Sequence, residues 1–462
     1  MMYRKLSAIL SAMTLCTIAF AGVTVKSGEL TQGPVKIMNA VNNGPIVSDK
    51  GGQDRDNFEA YRDARIPFAR THDAALCVPY GAEHTVDITA IFPDFSKDVN
   101  DPASYDFVMT DYYLGVMRKA GTEPFFRLGQ KIENNKKKYG IFPPADYQKW
   151  AEICEHIIRH YNEGWANGFK WNIQYWEIWN EADNNESNWN TQAANSWGGP
   201  KEEFFKFFST ALSHLNKCFP DLKIGGPALA WNIPWAEEFV EYIAARGLTL
   251  DFFSYHCYTD NVETFAKLAN TIREILDRNG YGYTEAILNE WNYIKGWKEE
   301  YQYSMDQISG LKGAAFVAAT FCTLQDQPVD MLMYYDARIG TTFNGLFDAQ
   351  DFAPTESYYV FYAWAKLLDL GSQMVVDVEE DDVYAVAATD GSKKAVFIAR
   401  YNDDNNIVAS EYISVDLGEK GCNKATAHLT DHAHKYTEIP LYVENGVAKI
   451  KLEPNSFIMI EY

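Results

Sequence analysis

The chain predicts an α/β fold: a (β/α)8 TIM barrel followed by a C-terminal all-β sandwich. Three observations lead there. Between residues 34 and 371, short apolar stretches rich in β-branched and aromatic residues alternate with longer amphipathic ones, enough for eight strand-helix units. No glycine-rich dinucleotide fingerprint follows the first strand, which disfavours an open doubly wound sheet. Past Gly371 the texture changes to strand alternation broken by turns such as Asp390-Gly391 and Asn445-Gly446.

The expected barrel strands are 35–40, 67–71, 124–128, 175–179, 223–226, 252–256, 286–289 and 331–335. The clearest intervening helix is 144–164. It carries Pro144 in its first turn and sets Trp150, Ile153, Cys154, Ile157, Ile158 and Tyr161 on one face. An eighth helix, 357–370, closes the series and is stopped by Gly371. The sandwich is 372–462, and residues 22–33 are placed as an extra strand of it.

Residues 1–21 read as a secretory signal rather than part of the fold. Arg4 and Lys5 precede an apolar run that ends in Ala19-Phe20-Ala21, a small-x-small cleavage site. The run is short for a membrane span, and no other stretch is a candidate. The expected location is therefore secreted or periplasmic. Cys77, Cys154, Cys218, Cys257, Cys322 and Cys422 are scattered and form no Cys-x-x-Cys pair, so buried free thiols are expected for most of them.

The net charge of −22 argues against nucleic acid as a partner and weakly against a polyanionic polymer. The 12 Trp and 29 Tyr raise the prospect of a sugar-stacking cleft only modestly, since large barrels are aromatic-rich anyway.

The chemistry concentrates at two strand ends. Trp176-Glu-Ile-Trp-Asn-Glu181 closes strand four and Ala286-Ile-Leu-Asn-Glu290 closes strand seven. Active sites of such barrels form where strands end. Two carboxyl groups about 5–5.5 Å apart are what double-displacement glycoside hydrolysis needs. Strand alternation places Glu181 on the side of Trp179 and Glu177. Glu177 lies deeper and needs a partner, for which Arg70 and Arg127 are candidates. Arg70 fits two roles equally: partner of Glu177, or a charge that lowers the pKa of Glu290.

Ser254, His256 and Tyr258 share one face of strand six. Tyr258 is placed to donate a hydrogen bond to Glu290, and His256 to meet the sugar or the acid. His72 and Asp73, at the end of strand two, are candidate ligands for sugar hydroxyls. Trp189, Trp231, Trp291 and Trp297 follow strand ends and are candidate stacking platforms.

These segments resemble clan A retaining glycoside hydrolases, and most nearly family 39, the β-xylosidases and α-L-iduronidases. The resemblance extends to Arg70-Thr-His-Asp73, Glu123-Pro-Phe-Phe-Arg-Leu-Gly129, Tyr255-His-Cys-Tyr258 and Phe343-Asn-Gly-Leu-Phe347. It implies Glu181 as acid/base, Glu290 as nucleophile and Asn180 as a ligand of the 2-hydroxyl. Two departures stand out: Ala182 where proline commonly follows the acid/base, and Arg127 where relatives often carry an acid. Tyr258 stands where the iduronidase type places a lysine, which favours a neutral sugar.

The expected protein is thus a secreted, retaining, exo-acting glycosidase that takes an oligosaccharide or polysaccharide and needs no metal and no cofactor. Glu181 should carry a raised pKa and Glu290 a low one. The alternatives are an endo-acting glycanase of the same clan and a catalytically silent carbohydrate-binding barrel. The sequence leaves the oligomeric state open.

Overall fold

A computed structural model describes residues 22–48, 55–73, 84–133, 137–184 and 194–462. The signal segment, Cys77 and Trp189 lie outside the described residues. Eight parallel strands close into a barrel: Ile37–Asn42, Phe68–Arg70, Glu123–Leu128, Tyr175–Ile178, Lys223–Leu229, Phe252–Thr259, Glu285–Tyr293 and Met331–Tyr334. They are numbered one to eight below. The sandwich is a ten-stranded sheet that folds over a core of its own, built from residues such as Val23, Met374, Val396, Ile413, Ile450 and Ile458. Strand Gly22–Pro34 joins it, antiparallel to Ser372–Val378 and parallel to Glu411–Asp416.

The helix over 144–164 is shorter at its start than its pattern suggests. It spans Tyr147–Asn162, because the Asp146 side chain accepts from the Lys149 amide at 3.0 Å and caps it there. Its buried face is the expected one. Helix Glu356–Leu370 ends at Gly371, whose φ of 80° needs no Cβ. Trp364 on that helix approaches Phe397 of the sandwich edge-on at 6.4 Å, so one apolar layer joins the two units.

The barrel interior is stratified, and this positions the site. Its floor is apolar: Phe125, Tyr175, Phe252, Ile287 and Met331 fill it. Each such large side chain contributes roughly 1.5–3 kcal/mol by burial. Above the floor lies a polar layer of Asn42, Arg70, Glu177, Ser254 and Asn289, all without solvent exposure. Above that layer the strand ends open into a cavity of about 1300 Å³.

Among the described residues no helix is long and apolar enough to cross a membrane. The described cysteines are all free thiols, with Cys154 and Cys322 buried.

Candidate active site

Glu177 anchors the polar layer. Its Oε2 accepts from Arg70 Nε at 2.7 Å, and its Oε1 from Ser254 Oγ at 2.6 Å and Asn289 Nδ2 at 2.5 Å. A buried carboxylate is tolerated only when it is satisfied in this way. Arg70 holds both of the roles open to it. Besides Glu177 it reaches Glu290 Oε2 at 3.1 Å, Asn42 Oδ1 at 3.1 Å and Asn180 Oδ1 at 2.6 Å. Arg127 is not a partner of Glu177. It donates instead to Asp87 and to the His72 carbonyl, each at 2.9 Å, because the second-strand loop brings those acceptors over it.

The end of strand four departs from simple alternation. Trp179 and Glu181 take positive φ values of 72° and 50°. Such left-handed residues turn the chain sharply. Trp179 is therefore rotated out of the barrel, against Trp197 and against Phe207 of helix Lys201–Cys218, and does not share a side with Glu181. Glu181 still faces the cavity. Asn184 Nδ2 donates to its Oε2 at 3.0 Å. Asp183 accepts from the amides of Ala230, Trp231 and Asn232 at 2.8–3.0 Å, which ties the fifth-strand loop to this turn.

Strand seven contains a register shift between Leu288 and Glu290 against strand six. A bulge of this kind lets two successive residues face one side. Asn289 bonds Glu177 below and Glu290 meets the cavity above. The same shift turns Trp291 outward. It is fully buried among Phe265, Phe321 and Tyr334, so it is not a sugar platform. Trp231 and Trp297 do line the cavity and are exposed.

Strand six alternates regularly and delivers three side chains inward. Ser254 bonds Glu177, and Tyr258 Oη donates to Glu290 Oε1 at 2.5 Å. His256 Nδ1 lies 2.8 Å from Glu181 Oε1 and 3.6 Å from Glu290 Oε2. Ligand-capable atoms of Glu181, His256 and Glu290 all fall within 4.8 Å of one another. One carboxylate oxygen of Glu181 and one of Glu290 thus lie within 4.8 Å of each other, a close approach of the kind the retaining mechanism uses. The trio could also hold a metal, as could Glu155, His214 and Cys218 on the outer helices.

His72 and Asp73 both line the cavity. Asp73 Oδ2 accepts from Tyr335 Oη at 2.5 Å and lies 3.8 Å from Arg338. Asn180 is buried, with its oxygen on Arg70 and its Nδ2 without a partner among the described residues.

Burial pushes the Glu181 carboxyl up to about 7, against the pull of Asn184 and Arg70. Glu290 is also raised, by burial first and then by Glu181; His256, Arg70 and Tyr258 pull it back down. The expectation of a low pKa there is not met, because desolvation outweighs the partners. Glu290 nevertheless has a guanidinium and a phenol on its oxygens, both of which favour its charged form. His256 is lowered by burial. Asn42, Asn184, Asp183 and Tyr335 escaped sequence reasoning. None has a spacing signal, because each is brought in by a loop or by a two-residue offset in a strand.

A closed parallel barrel whose carboxyl-end mouth holds so close a pair of glutamates defines a retaining O-glycosyl hydrolase. Residues 80–405 match the glycosyl hydrolases family 39, and the chain belongs to that family. It is 23% identical over 382 residues to a β-xylosidase of Caldicellulosiruptor saccharolyticus, covering 74% of this chain and 73% of the relative. The fold is similar to that of a glucosidase from Croceicoccus marinus: TM-score 0.76, 22% identity, 96% of this chain and 98% of the other. A monomeric β-xylosidase from Caulobacter crescentus CB15 gives a TM-score of 0.69 at 15% identity, covering 96% and 99%.

Proposed function

We propose that this glycosidase is exported and acts from the chain end on a neutral sugar such as a β-xyloside. Glu181 protonates the leaving oxygen while Glu290 attacks the anomeric carbon to form a glycosyl ester. Glu181 then takes a proton from water, which attacks that carbon and releases the sugar. Asn180 donates to the 2-hydroxyl, a bond that tightens as the anomeric centre becomes cationic. His72, Asp73, His256, Tyr258 and Arg70 hold the sugar or the carboxylates in place.

The observation that carries this reading is the spacing and unequal surroundings of the two glutamates. Glu181, raised to about 7, keeps a large protonated fraction at neutral pH. Glu290 faces Arg70 and Tyr258, which favour its charge. The similarity to a β-xylosidase supports the choice of sugar, and the residue 1–21 pattern supports export. Endo-action has one observation in its favour: about 1300 Å³ exceeds what one sugar ring fills.

The test is a panel of aryl glycosides, β-xyloside, β-glucoside, β-galactoside, α-arabinosides and a uronide, with Glu290→Gln as control. Turnover of the β-xyloside by the parent alone is expected, with release of single sugars from short oligosaccharides. Release of internal fragments would establish endo-action. Silence of parent and variant together, with equal oligosaccharide binding, would leave a silent binding protein.

A further inference from the structure

Lys131 follows the third barrel strand and lines the cavity that holds Glu181 and Glu290. It is only 7% exposed, and its Nζ has no hydrogen-bond partner among the described residues. A buried ammonium left without a partner is costly, and such groups are normally paired. None of the described acids on or beside this wall accepts from its Nζ, and each already accepts from another donor. Asp87 holds Arg127 at 2.9 Å, Asp73 holds Tyr335 at 2.5 Å, and Glu133 accepts from the amides of Tyr139 and Gly140 at 2.6 and 2.7 Å. Lys137, exposed on the same wall, lies 4.8 Å over the Tyr139 ring and adds a second positive charge. His84, also on this wall, has its pKa lowered by burial first; Asp87 and Asp73 oppose the fall, and the charges of Arg127 and Lys131 add to it.

We infer that the cavity takes a glycan bearing an anionic group, a carboxylate or a sulfate ester, seated on Lys131. The inference rests on the glycosidase reading above and adds the substrate class to it. An ammonium has three donors and no fixed plane, so it accepts either anion. Lys131 belongs to the loop beside strand four, which carries Glu181. The anion therefore sits away from the Tyr258–Glu290 side, and the sugar under attack is neutral. The net charge of −22 gives no long-range attraction for such a glycan. Recognition is by contact, within a screening length of about 10 Å at 0.1 M salt.

The experiment is calorimetric binding in the Glu290→Gln background, which removes turnover. The probes are xylobiose, xylobiose with a glucuronyl branch and sulfated xylobiose. At least one acidic probe should bind about tenfold or more tighter than xylobiose, in keeping with a charge-assisted bond. Lys131→Met should abolish that preference and Lys131→Arg should retain it; Lys131→Gln serves if the Met variant does not fold. Which acidic probe is preferred identifies the anion. No preference for either one, or a preference that survives Lys131→Met, overturns the inference. Loss of aryl glycoside turnover alongside intact, Lys131-dependent anion binding would fault the assigned reaction and not the anion site.

Discussion

The Tyr258 hydroxyl donates to Glu290 Oε1 at 2.5 Å, from a strand whose alternation also presents Ser254 and His256 to the interior. A hydrogen bond to the charged form favours it, so this phenol offsets part of the burial that raises the Glu290 pKa. Tyr258→Phe should therefore move the acid limb of the kcat/KM profile to higher pH. It should also cost roughly 10–100-fold in kcat, the scale of removing one preorganised donor. An unmoved acid limb would assign Tyr258 to sugar contact alone.

The alkaline limb belongs to Glu181. As acid it acts only while protonated, and burial holds its pKa at about 7. Activity should fall as pH rises through that value. In Glu181→Ala the limb should vanish, while substrates whose leaving group needs no proton are still attacked. Rescue of that variant by azide, with a retained-configuration glycosyl azide as product, is the direct check.

The same raised pKa has a consequence for stability. The folded state keeps the Glu181 proton to about pH 7, whereas the unfolded chain releases it near 4.5. The neutral form's contribution is complete below the unfolded value and is lost as pH rises through the folded one. Glu181→Gln should thus gain stability over the parent as pH goes from 5 to 8, by about 1–3 kcal/mol. Denaturant unfolding at both pH values measures it, and an equal difference at each would refute the linkage.

Arg70 ties four side chains together, Glu177, Glu290, Asn42 and Asn180. Arg70→Met would leave the Glu177 carboxylate without its cation, at a cost of about 3–5 kcal/mol. Arg70→Lys should rescue little of this, because a point charge cannot span the four acceptors that the planar fork reaches. Urea midpoints of the two variants should therefore lie close together and well below the parent's.

Asn180 offers an unpartnered Nδ2 while its oxygen is fixed on Arg70. Asn180→Ala should lower kcat/KM by roughly 10–100-fold on a normal glycoside, on the scale of a bond that strengthens in the transition state. On the matching 2-deoxy glycoside the loss should be small. Equal losses on both would remove the 2-hydroxyl from its role.

Much of this molecule was legible in one dimension. The eight strands were readable because buried parallel strands are short apolar runs between amphipathic helices, and the observed strands overlap all eight expected ones. Glu181 and Glu290 were readable because each closes such a run, and barrel closure brings strand ends to one mouth. The regular alternation of strand six made Ser254, His256 and Tyr258 readable together.

What failed was everything that depends on a break in period. Positive φ at Trp179 and a bulge before Glu290 turn two tryptophans out of the barrel, and neither break has a signature in residue type. Loop closure was equally hidden: Asp87 takes Arg127 from Glu177, and Asn184 reaches Glu181, through turns that only the folded chain defines. The sequence by itself determined the architecture and the strand-end placement of Glu181 and Glu290, since hydrophobic period and strand-end position are local properties. The tertiary structure decided the partners, the raised pKa of Glu181 and the unpaired Lys131, since burial and charge pairing are sums over groups far apart in the chain.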